Sequence, residues 1–138
     1  MRRLFQRLRA DRRGVSVVEF ALLAPLFIMM IVGVAQMGIL YYAHSALRNA
    51  VSEGARYATI YPRPAASAVI ARINQNRATG GNGTYTTPTV TYQQDATTRN
   101  WRATISMTYT TSLNFIFFTW PNVTLSYSRQ AYVHAPTT

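Results

Sequence analysis

Residues 20–43 form 24 consecutive positions without Asp, Glu, Lys or Arg, and Gln36 is the one strongly polar side chain among them. A run of that length has few folds open to it. At 1.5 Å per residue a helix over it spans about 36 Å, enough to cross a hydrocarbon core of about 30 Å with some tilt. Secretory signal peptides stop at an apolar stretch of about 7–15 residues, so cleavage at Ala43-His44-Ser45 is the weaker reading. Pro25 lacks the N–H that a helix interior requires and is expected to bend the helix near its start.

Charge is distributed asymmetrically about this run. Arg2, Arg3, Arg7, Arg9, Arg12 and Arg13 precede it, opposed by Asp11. A basic flank is retained on the cytoplasmic side, which sends the C-terminal part outward. Arg12-Arg13 faintly suggests a twin-arginine signal, but Gly-Val-Ser follows in place of a bulky apolar pair. Gly14 closes the basic stretch, and Glu19 is the one carboxylate at the entrance to the apolar helix. A carboxylate at mid-bilayer costs about 2.5–3.5 kcal/mol, and less near the interface. A group tolerated at such a cost usually has a task.

The junction Arg12-Arg13-Gly14-Val15-Ser16-Val17-Val18-Glu19-Phe20 resembles a type IV prepilin signal. That signal has a basic leader, a glycine before the cut, apolar residues, and a glutamate fifth in the mature chain; counted from Val15, Glu19 is fifth. Glu19-Phe20-Ala21-Leu22-Leu23-Ala24-Pro25 is similar to the start of TadE-like proteins, pseudopilins of the tight-adherence (Tad/Flp) pilus machinery. Asn49-Ala50-Val51-Ser52-Glu53-Gly54-Ala55-Arg56-Tyr57-Ala58 resembles that family's small-residue segment ending in Ala-Arg. The resemblance covers residues 12–60; the remainder matches only as a Thr/Ser-rich β segment. Val15 stands where many type IV pilins have Phe, so N-terminal methylation is not carried over.

This resemblance implies a minor pilin acting in pilus biogenesis and adhesion, with a prepilin peptidase cutting between Gly14 and Val15. It implies a leader over residues 1–14, a membrane helix over 15–43, an extension over 44–60 and a small extracytoplasmic α+β domain over 61–138. The implied location is the bacterial inner membrane, with the N-terminus cytoplasmic. Expected partners are TadF-like and TadG-like subunits, the Flp major pilin and the inner-membrane assembly platform. Glu19, Phe20, Pro25 and Gln36 are the expected subunit-assembly residues. Lipid tails give apolar helices no reason to associate, so close packing at Gly33, Ala35 and Gly38 and a polar contact from Gln36 would have to do so. Gln36 bonded to its own helix backbone is the plainer alternative. The competing function is an uncut single-span protein whose outer domain is an adhesin or binding module.

Beyond the membrane, Ala43, Leu47, Ala50, Gly54 and Ala58 trace one helical face. This small-residue stripe is expected to pack on the protein's own sheet, while the part within the membrane meets partners. Tyr61-Pro62-Arg63-Pro64 breaks the helix. Residues 65–77 suggest a second helix with Val69, Ile70 and Ile73 on its apolar side, and Gly80-Gly81-Asn82-Gly83 a loop. Residues 89–92 alternate briefly. Trp101, Ala103, Ile105, Met107 and Tyr109 alternate with polar neighbours, as do Val123, Leu125, Tyr127, Ala131 and Val133, interrupted by Arg129. Such period-two patterning predicts half-buried antiparallel strands. The expected architecture is a pilin-like long helix laid on a small sheet.

Between these strands Leu113, Ile116, Phe117 and Trp120 fit helical spacing, predicting a short helix. The patch Phe115, Ile116, Phe117, Phe118 and Trp120 either caps the core or, if exposed, marks a partner or membrane-surface contact. No cysteine is present, so disulfides and thiolate metal sites are excluded. His44 and His134 have no second ligand at metal spacing, and no glycine-rich phosphate loop follows a strand. We expect no cofactor, no metal and no enzymatic activity. Half of the +10 formal charge belongs to the leader, and the remaining arginines are scattered, so nucleic acid is not an expected partner. Asn82-Gly83-Thr84 and Asn122-Val123-Thr124 match the glycosylation triplet, a common coincidence.

Overall fold

The computed structural model describes residues 13–78 and 82–136, with side chains from Ser16 onward in the first helix. Apart from the helical backbone at Arg13 and Gly14, the expected leader lies outside the described residues, as do Gly80 and Gly81 of the expected loop. Helix α1, Arg13–Ala58, runs 46 residues without interruption through Pro25. Its length is about 69 Å at the standard rise. The expected membrane span and its extension are therefore one element. Between residues 16 and 42 no side chain of α1 is buried; from Ala43 onward one face is. Ala43, Leu47, Ala50, Val51, Ala55 and Ala58 are all nearly inaccessible to solvent. The helix ends as the Thr59 hydroxyl and N–H both donate to the Arg56 carbonyl, and Pro62 and Pro64 follow.

Helix α2, Ala66–Asn76, carries Val69 and Ile73 at fully buried positions. These two side chains seat against α1 at Gly54. A Cβ added there would collide with Ile73 and come within 3.7 Å of Val69 Cγ1. Four antiparallel strands follow: β1 Thr84–Tyr85, β2 Thr89–Gln94, β3 Trp101–Phe115 and β4 Phe118–Val133. β4 pairs with β3 from Trp101↔Val133 to Phe115↔Phe118. Because β4 takes one edge of β3 throughout, β1 and β2 lie end to end along the other. The sheet is a three-row layer centred on β3.

The period-two reading of β3 holds. Ala103, Ile105, Met107 and Tyr109 are buried, facing Leu47, Val51 and Ile73 in one core. Each large side chain buried there removes apolar area worth about 1.5–3 kcal/mol. Leu125, Tyr127, Ala131 and Val133 on β4 are half-buried against that core, and Val123 is half-covered beyond it. The small-residue stripe thus packs on the chain's own sheet and α2, as expected for its outer part. Arg63 lies between the rings of Tyr92 (4.6 Å) and Trp101 (4.8 Å), closing the end of the sheet near the helix terminus.

The short helix expected over residues 113–120 is not formed. Leu113↔Trp120, Asn114↔Thr119 and Phe115↔Phe118 continue the β3–β4 ladder to a two-residue turn at Ile116 and Phe117. Aromatic and β-branched residues favour the pleated state. The ladder also pairs backbone groups that a helix of one or two turns would leave open at both ends. The i, i+3, i+4 spacing was a coincidence of a strand–turn–strand sequence.

Candidate functional site

The residues singled out from sequence fall into two groups at opposite ends of the exposed half of α1. Glu19 and Phe20 lie in its first turns, fully open to the surroundings, and Pro25 stands one to two turns further on. Among the described residues Glu19 has no ion-pair partner. Gly14 and Val15 belong to the same helix by backbone, their side-chain surroundings outside the described residues. The helix is the sole positioning device here. It places Val15 and Glu19 one turn apart, four residues being just over one turn of 3.6.

About 26 Å further along the helix axis lies the second group. Gln36 Nε2 donates a hydrogen bond to the Asn114 carbonyl at 3.1 Å. Its partner within the chain is thus the β3–β4 hairpin rather than the helix backbone. Gly33 faces the same hairpin, and a methyl group there would stand 3.5 Å from Phe115 Cε1. Gly33, Gln36 and Leu40 are half-covered while their neighbours on the other faces are open. This face is the continuation of the Ala43-to-Ala58 stripe that packs on the sheet.

The aromatic patch is exposed at the hairpin tip. Ile116, Phe117 and Trp120 are 57%, 65% and 63% accessible, and Phe115 stacks on Phe118 with ring centroids 4.7 Å apart. It does not cap the core. Higher up, Arg129, which interrupts the apolar face of β4, donates from Nη1 to the Ser52 hydroxyl at 2.8 Å, and Arg48 sits over the Tyr127 ring at 5.5 Å. These two contacts tie β4 to α1. The interruption at Arg129 was the only sequence signal for either.

Two carboxyls beyond the exposed half of α1, Asp95 and Glu53, are paired for structural purposes. Asp95 accepts N–H bonds from Thr97 (3.0 Å) and Thr98 (2.8 Å) in the turn between β2 and β3. With Arg102 at 3.6 Å, these hold its carboxyl below the usual carboxylate value. A hydrogen bond from Arg56 does the same for Glu53. Burial raises the hydroxyls of Tyr85 and Tyr92. Among the described residues no three His, Cys, Asp or Glu side chains converge on one point.

A long apolar helix with a lone carboxylate at its start and a small-residue stripe at its end is thus the element carrying the candidate residues. The family model described as TadE-like protein matches residues 14–56. That stretch is TadE-like. The match begins at Gly14, ends at Arg56, and lies wholly within α1; it includes none of α2 or the sheet. No curated protein and no solved structure matches the chain. The TadE-like family is structural and associated with pilus components. Helix α1 is long and apolar enough to cross a membrane, which suggests a single-pass membrane protein.

Proposed function

We propose that this chain is a minor pilin or pseudopilin of a Tad-type pilus machine, cut by a prepilin peptidase between Gly14 and Val15. The observation that carries the proposal is the coincidence of the TadE-like match with one helix whose first half buries nothing in its own chain. In this reading α1 spans the inner membrane with its N-terminus cytoplasmic, and the sheet with α2 stands outside, because the arginine cluster precedes the span. The chain acts as a scaffold rather than as an enzyme. Its partners are the other pilin subunits and the inner-membrane platform.

Glu19 acquires its role through cleavage. Removing the leader frees an α-amino group at Val15, with an ordinary pKa of about 7.7–8.0, and so creates a cation one helical turn from the carboxylate. A neighbouring subunit sliding along the helix axis brings its own amine to the same height. Low dielectric strengthens that pair, and desolvation offsets part of the gain. The test is intact mass and N-terminal sequencing of the protein extracted from membranes of cells with a working Tad peptidase. A chain beginning at Val15 supports the reading, and one beginning at Met1 sinks it. Glu19→Ala should then be cut almost normally and yet fail to enter pili or to crosslink to pilus subunits.

A further inference from the structure

The hairpin and the apolar helix have uncharged stretches that begin at a common level, near Arg48 and Arg129. Residues 20–47 of α1 and 103–128 of the hairpin contain no Asp, Glu, Lys or Arg. Glu19 precedes the helix range; at the other end the first charges are Arg48 on α1 and Arg102 and Arg129 on the hairpin, where Arg48 lies over Tyr127 and Arg129 reaches Ser52. From there the two elements run together toward the N-terminal end of α1. Met107, paired with Tyr127, is seven residues from Asn114, about 23 Å of strand. Arg48 is twelve residues from Gln36, about 18 Å of helix. The Gln36–Asn114 bond closes this ladder of contacts.

Depth follows from the helix. A hydrocarbon core of about 30 Å takes about 20 residues, so a span beginning at Phe20 leaves it near Ile39. Tyr41 and Tyr42, both exposed, then stand at the headgroup level where aromatic belts form. Gln36 is about 4–5 Å below the boundary and Gly33 about 9 Å below it. Phe115 is packed at Gly33. The tip therefore lies below the plane at which water begins.

We infer that the β3–β4 hairpin tip is a second membrane-embedded element, seated in the leaflet at the C-terminal end of α1 and contacting lipid through Ile116, Phe117, Phe118 and Trp120. The inference rests on the reading of α1 as a membrane span. A seat about 5–10 Å below the headgroups is the depth at which interfacial elements bury apolar faces. The backbone is satisfied in part: the ladder pairs β3 with β4 up to the turn apart from an irregularity between Thr111 and Leu113, Gln36 takes the Asn114 carbonyl, and Pro121 offers no N–H. At the tip the outer edges of both strands have no strand partner among the described residues, which limits the tip to an interfacial seat where water still reaches those edges. Trp120 pairs with Leu113, which lines the cleft facing Gln36, Ile39 and Leu40, so its indole sits at the interface and the Phe residues sit deeper. The tip would fix the rotation and tilt of the outer sheet relative to the membrane.

The chain has two tryptophans, Trp101 and Trp120, and Trp101 is at the far end of β3. The full chain, reconstituted in vesicles of zwitterionic and anionic phospholipid at about one chain per vesicle, tests the inference by fluorescence quenching in the Trp101→Phe variant. If that variant does not fold, the difference between the parent and Trp120→Phe provides the same signal. Trp120 should lose most of its emission to a lipid carrying a nitroxide near the headgroup, less to one labelled at the chain end, and little to aqueous acrylamide. Phe117→Asp should reverse that order. Ready quenching by acrylamide, with α1 resistant to alkaline carbonate extraction, overturns the inference and leaves the membrane span intact. Shielding from both quenchers with crosslinking between copies means that a second protein chain covers the tip, and overturns it as well. Extraction of the whole chain by carbonate refutes the span and the inference with it.

Discussion

Gly54 shows how much one missing side chain decides. It lies on the small-residue stripe of α1, where the sequence suggests only a close approach, and the structure supplies what approaches: Ile73, with Val69 beside it. Gly54→Val should destabilise the outer domain by about 1–3 kcal/mol, the usual cost of overpacking a core. Asn49→Val, at an exposed position of the same helix, should cost less. Thermal unfolding of the detergent-solubilised full chain measures both, and equal melting temperatures for the two variants would show that α2 does not seat at Gly54. Gln36 makes the opposite point. Its polar character singled it out, but its partner is 78 positions away, at a distance in sequence that no local pattern encodes.

At the scale of the element, α1 has two faces with different tasks. The face running from Gly33 through Gln36 and Leu40 to Ala58 is occupied by the chain's own hairpin, sheet and α2. Below Met29 the helix side chains from Ser16 onward are exposed except for the half-covered Ala24, and on the proposed reading this portion serves subunit contacts. Exchanging residues 17–32 for an unrelated apolar span, with the leader, Gly14 and Glu19 retained, separates the two tasks. The chimera should insert and keep the Gln36–Asn114 contact, and yet no longer be recovered with pilus components by crosslinking. Recovery equal to that of the parent would reduce this half of the helix to a tether and move recognition to the outer sheet. Helical periodicity and apolar length made α1 legible almost residue by residue. The segment at 113–120 misled because eight residues fit a helix and a hairpin equally well, and ladder pairing with β4 decided between them.

For the whole molecule, stability of the sheet and the helices packed on it depends on one small core and a few polar clamps, with no cysteine to form a disulfide. Asp95 and Glu53 are held below their ordinary values by hydrogen bonds and neighbouring arginines. A carboxylate depressed in the folded state contributes stability above its unfolded value, about 4, and loses it as pH falls through the folded value. Melting temperature should therefore be flat near neutrality and decline below pH ~4. Asp95→Asn should lower the neutral plateau and weaken the acid decline. An unchanged acid profile in that variant would show that the Asp95 turn contributes nothing to folding.

By itself the sequence determined a membrane-length helix, its small-residue face, the alternation of β3 and β4, and the TadE-like junction around Gly14 and Glu19. Each is written in local spacing, period and charge, which one-dimensional patterns carry fully. Only the tertiary structure decided that β1 and β2 share an edge of β3, that Arg63 is held between Tyr92 and Trp101, and that the aromatic patch is an exposed hairpin tip beside Gly33 and Gln36. Those outcomes depend on which distant surfaces meet, and burial and backbone pairing settle that for the whole chain at once.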